Sequence, residues 1–118
     1  MSYLLLIVEP RGQREARNPE QGKAAYDEMV AFGAGLQERG LLLGANSLRG
    51  DAQGVRVQVR EERPQLRDGP FTEAKEMVGG YFLLDCASRD EAVAIAAACP
   101  AARWASVEVR EVAPCYAG

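Results

Sequence analysis

The sequence predicts an α+β fold: a ferredoxin-like antiparallel sheet, ordered βαβ–β–βαβ, with two helices on one face. Three observations carry this reading. Apolar, strand-like runs alternate twice with capped helices. The run Tyr3-Leu4-Leu5-Leu6 ahead of the first helix reappears as Tyr81-Phe82-Leu83-Leu84 ahead of the second, so the chain falls into two halves. Two strand–helix–strand units with right-handed crossovers then place both helices on the same side. With 118 residues, 47% hydrophobic and 26% charged, the composition is that of one globular domain, 1–118.

The elements follow in order. Residues 3–8 form a short apolar run closed by Pro10, a strand buried on both faces. Residues 9–17 are polar, contain Pro10-Arg11-Gly12, and read as a loop. Asn18-Pro19-Glu20-Gln21 starts a helix: Asn caps, Pro suits the first position, and Gln21 completes a capping box. That helix carries Ala25, Met29, Phe32 and Leu36 at helical spacing and stops at Gly40. Gly33 and Gly35 inside it each cost about 1 kcal/mol relative to Ala, which a close approach to another backbone would explain.

Residues 41–48 read as a second strand, and 50–54 as a turn. In 55–60 three valines alternate strictly with polar residues, the pattern of a half-solvated antiparallel strand, and 65–67 pair briefly with it. Residues 72–76 read as one charged helical turn, released by Gly79-Gly80 into an apolar strand over 80–86. Ser88-Arg89-Asp90-Glu91 opens an alanine-rich helix that Pro100 ends, and 106–112 form the last strand.

Two helices cover only one face of such a sheet. The first and fourth main strands are apolar on both sides, so the opposite face would be left greasy. Covering it with a second copy buries apolar area at roughly 25 cal/mol per Å². The expected assembly is a two-fold homodimer joined through the open sheet face, with a barrel-like core; the alternative is a monomer that covers that face with its own hairpin arm.

Bulk chemistry excludes several functions. Net charge is −3 with no basic run, which disfavours direct nucleic-acid binding. Three widely spaced cysteines form no CxxC, so neither a disulfide framework nor a zinc site is indicated. The apolar N-terminal run is too short to span a membrane, and the cytoplasm is the expected location. No phosphate-cradling glycine loop or dinucleotide fingerprint is present, and no cofactor is implied. Histidine is absent. That removes Ser–His and Cys–His nucleophile pairs and any imidazole proton shuttle, leaving acid–base work to carboxylates, Lys, Tyr or Cys.

Residues 68–76 are the densest chemical cluster. Asp68, Glu73 and Glu76 offer a general acid and base if a dry cleft shifts their pKa values. Lys75 or Arg103 would hold an anionic substrate, Trp104 beside Arg103 a planar one, Phe71 would line the pocket with Tyr81, and Tyr26 and Tyr81 offer phenolic acids. The same residues support a structural reading, with Asp68 capping a turn, Glu73 satisfying backbone amides, Lys75 in a surface pair and Phe71 plugging the core.

The segment Asp68-Gly69-Pro70-Phe71-Thr72-Glu73-Ala74-Lys75-Glu76, followed by Gly79-Gly80-Tyr81-Phe82-Leu83-Leu84, closely resembles the signature of the DGPF subgroup of YCII-related proteins. The start at Tyr3 and the stretch from Pro100 to Arg110 resemble the same family, so the likeness covers essentially the whole chain. It implies a dimeric α/β barrel. Many relatives have no assigned function; some stand beside or are fused to sigma factors of the extracytoplasmic-function type, and a few are small-molecule lyases or dehydrochlorinases. The wider group carries a proposed His–Asp pair, the Asp just before a proline after the second helix. Here Cys99 precedes Pro100 and no histidine exists, so that pair is not carried over.

Two functions remain in view. The first is an accessory dimeric domain binding a small molecule or a protein partner. The second is a lyase or isomerase with Asp68 or Glu73 as base.

Overall fold

The computed structural model describes residues 1–118. Its elements are β1 (Ser2–Pro10), α1 (Gln13–Ala16), α2 (Pro19–Glu38), β2 (Leu42–Ser47), β3 (Val55–Arg60), β4 (Arg63–Asp68), β5 (Glu76–Asp85), α3 (Arg89–Ala98) and β6 (Ser106–Glu111). The main sheet is antiparallel with order β2-β5-β1-β6, and β3-β4 form a separate two-stranded arm. Each half splits its parallel strands around one strand of the other half. This is the ferredoxin-like arrangement.

Caps form as the residue types dictate. Asn18 accepts from the Gln21 backbone N–H at 2.8 Å, and the Gln21 side chain accepts from the Asn18 N–H at 3.0 Å. At α3 the Ser88 hydroxyl accepts from the Glu91 N–H, while the Glu91 carboxylate reaches back to Ala87 rather than Ser88. Acidic Asp90 and Glu91 in that first turn suit the helix dipole.

The core lies between sheet and helices. Along β1, Tyr3, Leu5, Ile7 and Glu9 are buried, while Leu4, Leu6 and Val8 are only half-covered. β5 repeats this, with Phe82 and Leu84 buried and Tyr81 and Leu83 half-covered. Leu36 of α2 and Ala92, Ile95 and Ala96 of α3 complete the packing, and Phe32 meets Phe82 edge to face at 5.3 Å. Gly33 lets α2 come close, since a Cβ there would sit 3.3 Å from the Phe82 ring; Gly35 faces open space and has no such reason.

The opposite face carries no helix. Register sets Leu4 against Leu83, Leu6 against Tyr81 and Val8 against Val78, an apolar stripe between Glu108 and Arg110 on one side and Asn46 on the other. The molecule is correspondingly flat, 47 × 43 × 19 Å, with a radius of gyration of 16.1 Å against about 13.5 Å for a compact chain of this length.

Three local expectations are corrected. Residues 72–76 form no helical turn: 72–73 make a simple turn and β5 begins at Glu76. Arg11 takes the Ala74 carbonyl through Nε at 2.7 Å and the Lys75 carbonyl through its backbone N–H at 2.9 Å, bonds a helical ladder would otherwise use. Gly79-Gly80 lies inside β5, where a register shift opposite Ile7 and Val8 marks a bulge. The polar segment read as a loop holds the short helix α1. Its Arg14 has a buried partner, described below.

Candidate functional site

A cleft of about 650 Å³ lies between α2 and the sheet. Small residues on both walls create it: Ala25, Gly33 and Ala34 on α2 face Ala45, Gly79 and Gly80 on the strands. Larger apolar side chains, among them Met29, Val30, Leu42 and Phe82, line the rest, and Trp104 contributes at one end. Concave, mostly apolar space with a few polar groups is what small ligands occupy.

An ion pair forms the floor. Glu9 continues the buried face of β1 and is only 6% exposed. Arg14 turns back from α1 and donates to both Glu9 oxygens, through Nη2 to Oε1 at 2.6 Å and through Nε to Oε2 at 2.9 Å. Its other N–H groups reach the carbonyls of Leu48 at 2.8 Å and Gly79 at 3.3 Å. Hydrogen bonding to Glu9 raises the Arg14 pKa above its ordinary value. Gly79 is the glycine this geometry requires, because any Cβ there would collide with Glu9 Oε1. The pair is therefore hydrogen-bonded within the protein.

Arg17 stands at the Trp104 end, its guanidinium 5.4 Å from the ring centroid. Arg103 approaches the same indole at 5.3 Å and is paired with Glu28 at 2.9 Å. Gln13 Nε2 donates to the Trp104 carbonyl at 2.5 Å and holds that loop.

The 68–76 segment lies at the root of the arm, and its contacts are mainly structural. Phe71 is buried, with the Arg56 guanidinium 3.9 Å above its ring. Its N–H donates to Asp51 at 3.2 Å, and its carbonyl accepts from Arg11 at 3.0 Å. Arg11 also grips the Asp51 carboxylate and the Ala74 carbonyl, the latter at 2.7 Å. A Cβ on Gly69 would collide with the Asp51 carbonyl, and the Gly69–Pro70 peptide is cis.

Glu73 bridges Arg67 at 2.7 Å and Arg56 at 3.1 Å, tying the loop to both arm strands. Asp68 ends β4 and is exposed, as are Lys75 and Glu76. Phe71 and Glu76 border a smaller cavity of about 320 Å³ with Asp51, Arg56 and Met77. Tyr81 reaches the wall of the larger cleft, though its hydroxyl accepts from Asn46 Nδ2 at 2.8 Å and its register partner is Leu6. Arg103 lies outside the cleft wall. Of the candidate site residues read from sequence, Tyr26, Tyr81 and Trp104 border the larger cleft, whereas Asp68, Phe71, Glu73, Lys75, Glu76 and Arg103 do not. Glu9, Arg14 and Arg17 lie in the segment expected to be a polar loop, although a carboxylate at the i+2 continuation of Tyr3-Leu5-Ile7 is a readable sign of a buried acid.

Both carboxylates at the arm root are held ionised. The Arg11 hydrogen bonds, helped by the Phe71 N–H, lower the Asp51 pKa to about 2, and the Arg67 bond chiefly lowers Glu73 to about 2. Folded-state values below the ordinary 3.8 and 4.5 mean stabilisation that is complete above those values and lost as pH falls toward 2. Urea midpoints measured from pH 7 to pH 2 are expected to drop below about pH 4.5. Asp51→Asn should flatten that limb, and equal acid slopes in the two proteins would show that the carboxylate is not so held.

Cys86 and Cys99 are buried, and burial pushes both thiols up, away from the reactive thiolate. No helix is long and apolar enough to cross a membrane.

A model of the YCII-related domain matches residues 1–115. An uncharacterized protein, R00369, from Rhizobium meliloti (strain 1021) is 48% identical over 93 residues, covering 79% of this chain and 75% of that protein. Among solved structures, 5-chloro-2-hydroxyhydroquinone dehydrochlorinase (TftG) from Burkholderia phenoliruptrix AC1100, in complex with 2,5-dihydroxybenzoquinone, superposes with a TM-score of 0.56. It covers 96% of this chain and 94% of its own at 15% identity, a likeness of fold.

Proposed function

The chain belongs to the YCII-related family, and since a fold does not by itself dictate a chemistry, we propose from its site that it is a homodimeric domain that binds a small molecule in the cleft between α2 and the sheet. The cleft carries this reading: its walls are lined by small and apolar residues, and its floor is a charge pair already satisfied within the protein. A protein of the same fold holds 2,5-dihydroxybenzoquinone, a ligand small enough for such a space. The uncovered stripe of Leu4, Leu6, Val8 and Leu83 supports a second copy on the far side of the sheet, away from the cleft.

Binding is favoured over catalysis on chemical grounds. Both Glu9 oxygens are engaged by Arg14, and Glu73, bound by two guanidinium groups, has no proton to donate near neutral pH. The lyase alternative would need Asp68 or Glu73 to act from the arm root, beside the smaller cavity.

Filling the cleft tests the proposal. Ala34 is exposed on α2 and lines the space, so Ala34→Trp should fold normally while occupying it. In a thermal-shift screen of ring-containing fragments, hits on wild type are expected to vanish in Ala34→Trp. Hits that persist unchanged would place binding elsewhere.

A further inference from the structure

The charges that line the cleft do not balance. Its only ionisable carboxylate is Glu9, set against two guanidinium groups, Arg14 and Arg17, which leaves one excess positive charge in a chain whose net charge is −3. Arg14 spends its donors on Glu9 and two backbone carbonyls. Arg17 differs from Arg11, Arg14 and Arg103, each of which has a carboxylate in contact. It is half-buried, rests on the Trp104 ring and has no acidic partner.

A guanidinium held in place by an indole, with its donors unclaimed and an apolar hollow beside it, is arranged to receive an anion. The neighbouring groups match this. Gln13 is fixed at the same end, while Ala25, Met29 and Val30 continue the wall away from Arg17 as apolar surface.

We infer that the ligand of this cleft is a monoanion with an apolar body, a carboxylate-type head bound at Arg17 and a hydrophobic ring or chain lying between α2 and β2. This rests on the binding role proposed above and adds the chemical class.

Matched probes separate the two claims. 2-Naphthoate and decanoate would be titrated by calorimetry against their neutral amides, with wild type, Arg17→Gln and Arg103→Gln. In wild type at least one acid should bind about tenfold or more tighter than its amide, the size of one charge-assisted hydrogen bond. Arg17→Gln should bring acid and amide to equal affinity without abolishing amide binding. Arg103→Gln, on the same indole but outside the cleft, should keep the wild-type preference. Equal binding of acids and amides by wild type would overturn the anion inference and leave the cleft as a binding site. Absence of binding by all four probes at millimolar concentration would overturn both.

Discussion

Arg14→Ala is expected to lose about 3 kcal/mol of folding stability, the lower end of what breaking a buried ion pair costs. The physical reason is the partner left behind. Glu9 sits at the inner end of β1 with 6% of its surface exposed, beneath Gly79 and beside Ile7. Without Arg14 its carboxylate is left buried with no ion-pair partner, and it must either draw water into the floor or take up a proton. Arg14 itself is partly open to solvent, which places the loss at the lower rather than the upper end. Against a total stability of roughly 5–15 kcal/mol, a change of this size is visible as a large shift of the urea midpoint. The double variant Glu9→Leu/Arg14→Met should recover most of it, since a well-packed apolar pair often equals or exceeds a buried ionic one. A loss under 1 kcal/mol in Arg14→Ala would mean that the carboxylate is hydrated and the floor is not built as described.

If the proposed homodimer forms, Leu6→Lys is expected to leave it as a single subunit at micromolar concentration. Leu6 lies at the middle of the uncovered stripe, with Tyr81 and Glu108 as its strand neighbours. In a two-fold arrangement the substitution enters the interface twice and sets two ammonium groups into apolar surface with no partner. Far-UV circular dichroism should be unchanged, because Leu6 points away from the helices and the main core. Sedimentation should show the mass halved. Wild type sedimenting as one subunit under the same conditions would remove the proposed assembly outright.

The fold was largely legible because its signals are local and repeated. Two capping sequences, two apolar runs beginning with an aromatic, and a strict valine alternation each report their element without help from distant residues. Sheet order then follows from handedness. The cleft was less legible, since it exists where the sequence has little to show: Ala25, Gly33, Ala34, Ala45 and Gly80 make space by being small. Residues 68–76 drew attention by crowding charge and an aromatic into nine positions, yet that crowding is answered locally by Arg11, Asp51, Arg56 and Arg67. Arg11 and Asp51 lie 40 residues apart in the chain. No spacing rule links them, and only the folded chain brings them together.

The arm has a consequence for handling the protein. Val55, Val57 and Val59 are more than half exposed, Leu66 opposite Val57 more so, and both strands are edges with unpaired backbone groups. Such a ribbon is a template on which further chains can stack into fibrils. Arg60, Arg63 and Pro64, set at the turn end of the same two strands, oppose that growth by repulsion and by a missing N–H, while Arg56 and Arg67 are already paired with Glu73. Removing those charges by mutation should therefore favour such stacking.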